Sequence, residues 1–186
     1  MKKFFLVSAL LLGTLAASAQ YMPGKPRKKY TFPKKDEESP YVLNVTKNTD
    51  EDAEVEACVT RVAFRPYTEL LTEINELKRM NNWADTTYQR RFQQLPAGGQ
   101  LTVTMYRRGA QNADPAYLSL VAKTKEGKEV LNLQELPGGQ GRFWNRDLYM
   151  SKRAIPFTKT DAPQDIFLTI NDAKTKQNFE YIIKAQ

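Results

Sequence analysis

Between residues 55 and 80 the chain reads VEACVTRVAFRPYTELLTEINELKRM, and its hydrophobic period changes halfway. Val55, Ala57 and Val59 alternate with Glu54, Glu56 and Thr60, which is the period of a half-buried strand. After Thr60 the apolar phase slips to Val62 and Phe64, so the spacing predicts a bulge near Thr60-Arg61 or a strand that crosses from one sheet to another. Beyond Pro66 the period becomes helical: Tyr67, Leu70, Leu71, Ile74 and Leu77 share one face. Pro66 suits a first turn, Glu69 lies near the positive end, and Lys78-Arg79 lie near the negative end, predicting a helix over about 67–80. A shorter helix follows, because Thr86-Thr87-Tyr88-Gln89 has capping-box form, Tyr88, Phe92 and Leu95 share a face, and Pro96-Ala97-Gly98-Gly99 ends it. Neither apolar face is long enough for a coiled coil. Two helices at this place in a chain of strands cover a sheet edge or an open end.

Outside this insertion the pattern is mostly period two. Tyr41, Leu43 and Val45 alternate with polar or solvent-side neighbours, and further strands are expected at 101–106, 117–123, 129–133, 166–170 and 179–183. Glu126-Gly127 marks a short hairpin turn and Asn171-Asp172 opens another. Between Phe143 and Phe157 one strand is expected around Asp147-Met150, with Pro156 pointing to an edge position. Together these features predict a mainly β fold: an antiparallel β-sandwich of immunoglobulin-like character, carrying a two-helix insertion at about 67–95.

Composition bounds the chemistry. The chain has 186 residues, one Cys and no His. Without imidazole there is no Ser-His-Asp or Cys-His pair and no His-ligated zinc. Ser39, Ser119 and Ser151 stand outside any nucleophile motif. Asp50-Glu51-Asp52-Ala53-Glu54 resembles the start of a calcium loop, yet an EF-hand needs Gly where Val55 stands and Glu where Arg61 stands. Gly138-Gly139-Gln140-Gly141 lacks the spacing of a phosphate cradle and reads as a flexible turn. No catalytic residue, metal or cofactor is expected.

The N-terminus has three parts: Lys2-Lys3, an apolar run from Phe4 to Leu15, and Ala17-Ser18-Ala19 before Gln20. This layout predicts a signal peptide over 1–19 and export to the periplasm or beyond the cell. The apolar run is too short to cross about 30 Å of hydrocarbon, so no transmembrane segment is expected. Residues 20–40 hold Pro23, Pro26, Pro33 and Pro40 with six cations and three anions, so they read as a basic, Pro-rich disordered tail. Such a tail can lie weakly against an anionic envelope surface. Residues 41–186, read as the single sandwich domain, are nearly charge-balanced, and no specific nucleic-acid binding is expected. Lone Cys58, with Glu54 and Glu56 near it, reads as a buried, inert thiol.

One segment has the make-up of a recognition surface: Arg142-Phe143-Trp144-Asn145-Arg146-Asp147-Leu148-Tyr149. Arginines interleaved with aromatics in a glycine-flanked loop suit protein hot spots and sugar-stacking platforms, since flat rings and guanidinium planes bind at low entropic cost. Arg142, Trp144, Arg146 and Tyr149 are the candidate partner-binding residues. The plainer alternative, and the one favoured by the small number of large aromatics, places Trp144 and Tyr149 in the core with the arginines facing water. The function these features favour is an exported, non-enzymatic binding or interaction module of the bacterial cell envelope, engaging an unknown protein or glycan partner. The alternatives are a structural subunit of an exported assembly, or a small carboxylate-dependent hydrolase acting on glycans.

Overall fold

A computed structural model describes residues 39–46, 58–160 and 162–184, all within the unit of the chain that runs from Thr31 to Gln186. Nine strands are formed by these residues: β1 Val42–Asn44, β2 Val59–Arg65, β3 Gln100–Arg108, β4 Leu118–Thr124, β5 Glu129–Leu133, β6 Arg142–Asn145, β7 Leu148–Pro156, β8 Ile166–Asp172 and β9 Gln177–Ile183. Two helices, α1 Tyr67–Asn81 and α2 Asp85–Gln93, separate β2 from β3. The strands make two antiparallel sheets packed as a sandwich, of order β1-β9-β8-β4-β5 and β2-β3-β7-β6.

Period-two patterning places the core. Leu118, Leu120 and Ala122 of β4, Ile166, Leu168 and Ile170 of β8, and Phe179, Tyr181 and Ile183 of β9 point inward from the five-stranded sheet. Val62, Phe64, Leu101, Val103, Met105 and Ile155 meet them from the four-stranded sheet. Tyr41, Phe64 and Phe157 close one end of this core through edge-to-face ring contacts at 6.5 and 5.8 Å. Chain entry is fixed at the same place: the Ser39 hydroxyl donates to the Phe64 carbonyl at 2.6 Å, and Lys184 N–H donates to the Tyr41 carbonyl at 2.8 Å.

The phase slip at Thr60 has a different cause from the one expected. β2 pairs with β3 in unbroken register from Val59↔Tyr106 to Arg65↔Gln100, so there is no bulge at Thr60-Arg61 and the strand stays in one sheet. Cys58, Thr60, Val62 and Phe64 share the inward phase, and Thr60 is a buried polar residue in that row. Val59 is buried on the opposite face, beside Tyr106. The upstream part of the expected strand, 55–57, and the acidic cluster 50–54 lie outside the described residues, as do 1–38.

α1 forms where its periodicity placed it, with Leu70 and Ile74 buried and Asn82 ending it at φ 48°, a left-handed cap whose N–H donates to the Lys78 carbonyl. α2 begins earlier than the capping-box reading placed it. Its N-cap is Ala84, Thr86 lies inside the first turn, and no side chain caps the end. Asp85 takes the first turn instead and binds Lys78 Nζ at 2.6 Å, a hydrogen bond that, reinforced by the ammonium charge, holds the Asp85 carboxyl below its ordinary value.

The edge position drawn from Pro156 holds for the C-terminal part of β7 and not for its start. β7 lies between β3 and β6, but β6 pairs only with Leu148–Met150, so Ser151–Pro156 has β3 on one side alone. The β5–β6 loop covers this flank. Leu136 inserts into the core, and Arg153 donates to the Pro137 carbonyl at 2.7 Å and to the Gly138 carbonyl at 3.0 Å. Gly138–Gly141 is therefore a pinned loop and not a flexible turn: Gly139 N–H donates to Asp114 Oδ1 at 2.9 Å, and a Cβ on Gly141 would lie 2.5 Å from that of Ala113.

Candidate functional site

The recognition segment folds as the β6–β7 hairpin. Arg142–Asn145 forms the edge strand of the four-stranded sheet, and Asn145↔Leu148 leaves Arg146-Asp147 as a two-residue loop. Arg146 adopts φ 56° at the tip, a left-handed conformation uncommon away from glycine. Asp147 steadies the loop: its carboxylate lies 3.3 Å from Arg108 Nε and its carbonyl accepts the Gly109 N–H at 3.0 Å.

The register shifts between Phe143 and Asn145, and strand alternation divides the candidate residues between two faces. Trp144 turns to the outer face, where its ring meets Tyr106 edge-on at 5.7 Å; Arg142, opposite Met150, belongs to the same face. Phe143 turns the other way and meets Tyr149 at 5.8 Å. Phe143 is 64% exposed and Trp144 41% exposed, Arg142 and Arg146 are exposed, and Tyr149 is half-buried. The expectation that Trp144 fills the sandwich core is thus corrected: alternation from Arg142 carries it to the outer face of the sheet, and buried Tyr106 supports it from below. Arg142 and Trp144 share the outer face, Arg146 stands at the hairpin tip, and Tyr149 lies on the other face with Phe143. Phe143 was not among the candidate residues read from the sequence; its place opposite Tyr149 is set by the hairpin register.

At one end of the sandwich lies a second cluster that residue patterning passed over. Arg107 ends the inward row of β3 and Asp172 ends that of β8, and both are closed to solvent, at 2% and 0% exposure. Arg107 Nη2 lies 2.6 Å from Asp172 Oδ2, with Nε 3.1 Å from the same oxygen. Nη1 donates to the Val59 and Tyr106 carbonyls at 2.6 and 2.8 Å, and Nη2 also donates to Thr60 Oγ1 at 2.7 Å. Asp172 Oδ1 accepts the N–H groups of Lys174 and Thr175, which shapes the β8–β9 turn. This pair joins the two sheets, and its burial suits a structural tie and not chemistry on a substrate. Cys58 is buried, with its thiol donating to Gln177 Oε1 at 3.0 Å.

No family model, curated protein or solved structure matches this chain. The site is therefore read from its own chemistry. Among the described residues no three carboxylates or thiols gather as a metal site would require, and no helix is long and apolar enough to cross a membrane.

Proposed function

We propose that this chain is an exported, non-enzymatic binding module of the bacterial cell envelope that engages a protein or glycan partner through the β6–β7 hairpin. The observation that carries this reading is the exposure of two large aromatics, Phe143 and Trp144, between the exposed arginines Arg142 and Arg146 on a short edge strand. Large aromatics flanked by guanidinium groups supply much of the contact energy of recognition surfaces, and here a buried ring holds Trp144 in place before any partner arrives.

Immunoglobulin-like character belongs to the same proposal. With β2 as strand A and β9 as strand G, the sheet orders β2-β3-β7-β6 and β9-β8-β4-β5 follow the A-B-E-D and G-F-C-C′ arrangement, with β1 added beside G. In that lettering Arg107 and Asp172 tie B to F, the strands that a disulfide joins in antibody domains. Loops and hairpins on such sandwiches commonly serve recognition, which supports the functional reading by analogy of architecture.

The test is retention from envelope extract at low salt on the immobilised chain and on a variant with Arg142, Trp144 and Arg146 all replaced by Ala. The variant loses the retained protein or glycan while keeping its fold, since exposed arginines contribute within about ±0.5 kcal/mol each and loss of the Trp144–Tyr106 contact costs about 1 kcal/mol. Equal retention by both proteins sinks the hairpin as the site. A Trp144→Ala cost of 3 kcal/mol or more, read from urea unfolding, would return that side chain to a core role. Export carries its own check: intact mass of the released protein gives Gln20 as the first residue, and a product retaining Met1 counts against it.

A further inference from the structure

At the end of the sandwich where β2 passes into α1, the described residues line a cavity of about 420 Å³. Its base is apolar: Phe64, Phe157, Ile166 and Ile183 line it and are themselves buried. The Phe64 and Phe157 rings hold one another edge to face, which fixes the shape of this base. Among the described residues, the charged part of the lining has one sign: Lys159 and Lys184 contribute to it and no carboxylate does. Lys184 is engaged by Asp165 at 3.1 Å, whereas exposed Lys159 makes no hydrogen bond or ion pair with any described residue.

We propose that this cavity binds a small monocarboxylate with an apolar chain, taken from solution, with the chain against Phe64 and Phe157 and the carboxylate at Lys159. The volume falls within the range of roughly 300–1,000 Å³ that holds small organic ligands. An apolar chain gains by leaving water for the phenylalanine base. The lysine then selects among apolar molecules: a carboxylate accepts a charge-assisted hydrogen bond, a neutral chain leaves the ammonium without one, and an alkylammonium is repelled. The site is separate from the hairpin rim and does not depend on it.

The experiment is calorimetric titration of the full chain with decanoate, with decylammonium as the charge-reversed control. One-to-one saturable binding is expected, at least tenfold weaker in Lys159→Glu, abolished in Thr68→Trp, where an exposed cavity-lining position is filled, and unchanged in the Arg142/Trp144/Arg146 triple variant. Absence of saturable binding, undiminished affinity in Lys159→Glu, or equal binding of decylammonium overturns the proposal. Binding to vesicles of anionic phospholipid without binding to decanoate would assign the cavity to a membrane lipid instead.

Discussion

Replacing Arg107 with Met is expected to destabilise the domain by about 3–5 kcal/mol, and Asp172→Asn by a similar amount. Each substitution strands the opposite charge in a place with no access to water, since the two side chains are 2% and 0% exposed. Arg107 is the more connected partner: its loss also leaves the Val59 carbonyl and Thr60 hydroxyl without their donor. The double variant Arg107→Met with Asp172→Asn recovers much of the loss. No charge then remains buried, and the Asn oxygen still accepts from Lys174 and Thr175 in the β8–β9 turn. Urea unfolding of the three variants, compared at constant m-value, checks this. Single substitutions that each cost less than 1 kcal/mol would mean the ion pair contributes little beyond filling space.

Phe64→Ala is expected to cost about 3–5 kcal/mol, several times the cost of Trp144→Ala. Phe64 holds the middle of the Tyr41–Phe64–Phe157 trio, and its ring also lies under Gly99. Removing it takes away both ring contacts and opens a void among rigid neighbours. Gly99 cannot be enlarged to refill it: its φ is +92°, and a Cβ would stand 2.5 Å from the Arg65 carbonyl oxygen. Thermal and urea unfolding of Phe64→Ala and Trp144→Ala side by side test the contrast. Equal costs would place the two aromatics in equivalent environments, contrary to their 5% and 41% exposures.

The strands that were legible in the sequence are those whose inward rows are purely apolar. Ile166, Leu168 and Ile170 in β8 and Phe179, Tyr181 and Ile183 in β9 alternate without interruption, and α1 shows a clean helical face ending in Asn82. Legibility failed where a polar residue takes an inward position. Thr60 looked like a break in phase because its role is to receive Arg107, which is 47 residues away. A signal was present: Arg107 continues the row Leu101, Val103, Met105, and Asp172 continues Ile166, Leu168, Ile170, so two inward rows end on opposite charges. β6 was missed for another reason. Four exposed residues with a bulge among them carry no alternation, and a bulge is set by the partner strand and not by local composition. The candidate residues were identified as a segment, but their division into two faces depends on the pairing of β6 with β7, which the segment alone does not carry. The capping-box reading of α2 failed because Asp85, one residue earlier, finds Lys78 across the turn from α1.

The pairing of the first described strand with the last bears on how this sandwich would respond to being pulled. β1 runs antiparallel to β9, with Val42 beside Ile183 and Asn44 beside Tyr181, so the chain enters and leaves at the same end of that pair. Ladder hydrogen bonds lie across the strands, and tension applied between Ser39 and Lys184 therefore loads the Ser39–Phe64 and Tyr41–Lys184 bonds first and then the Val42–Ile183 pair, peeling β1 away like a zip. A parallel arrangement of first and last strands would put all those bonds in shear together and resist far more force. Pulled in this way, β1 gives up its bonds one after another, while the buried Arg107–Asp172 pair lies in strands that this pull does not load first.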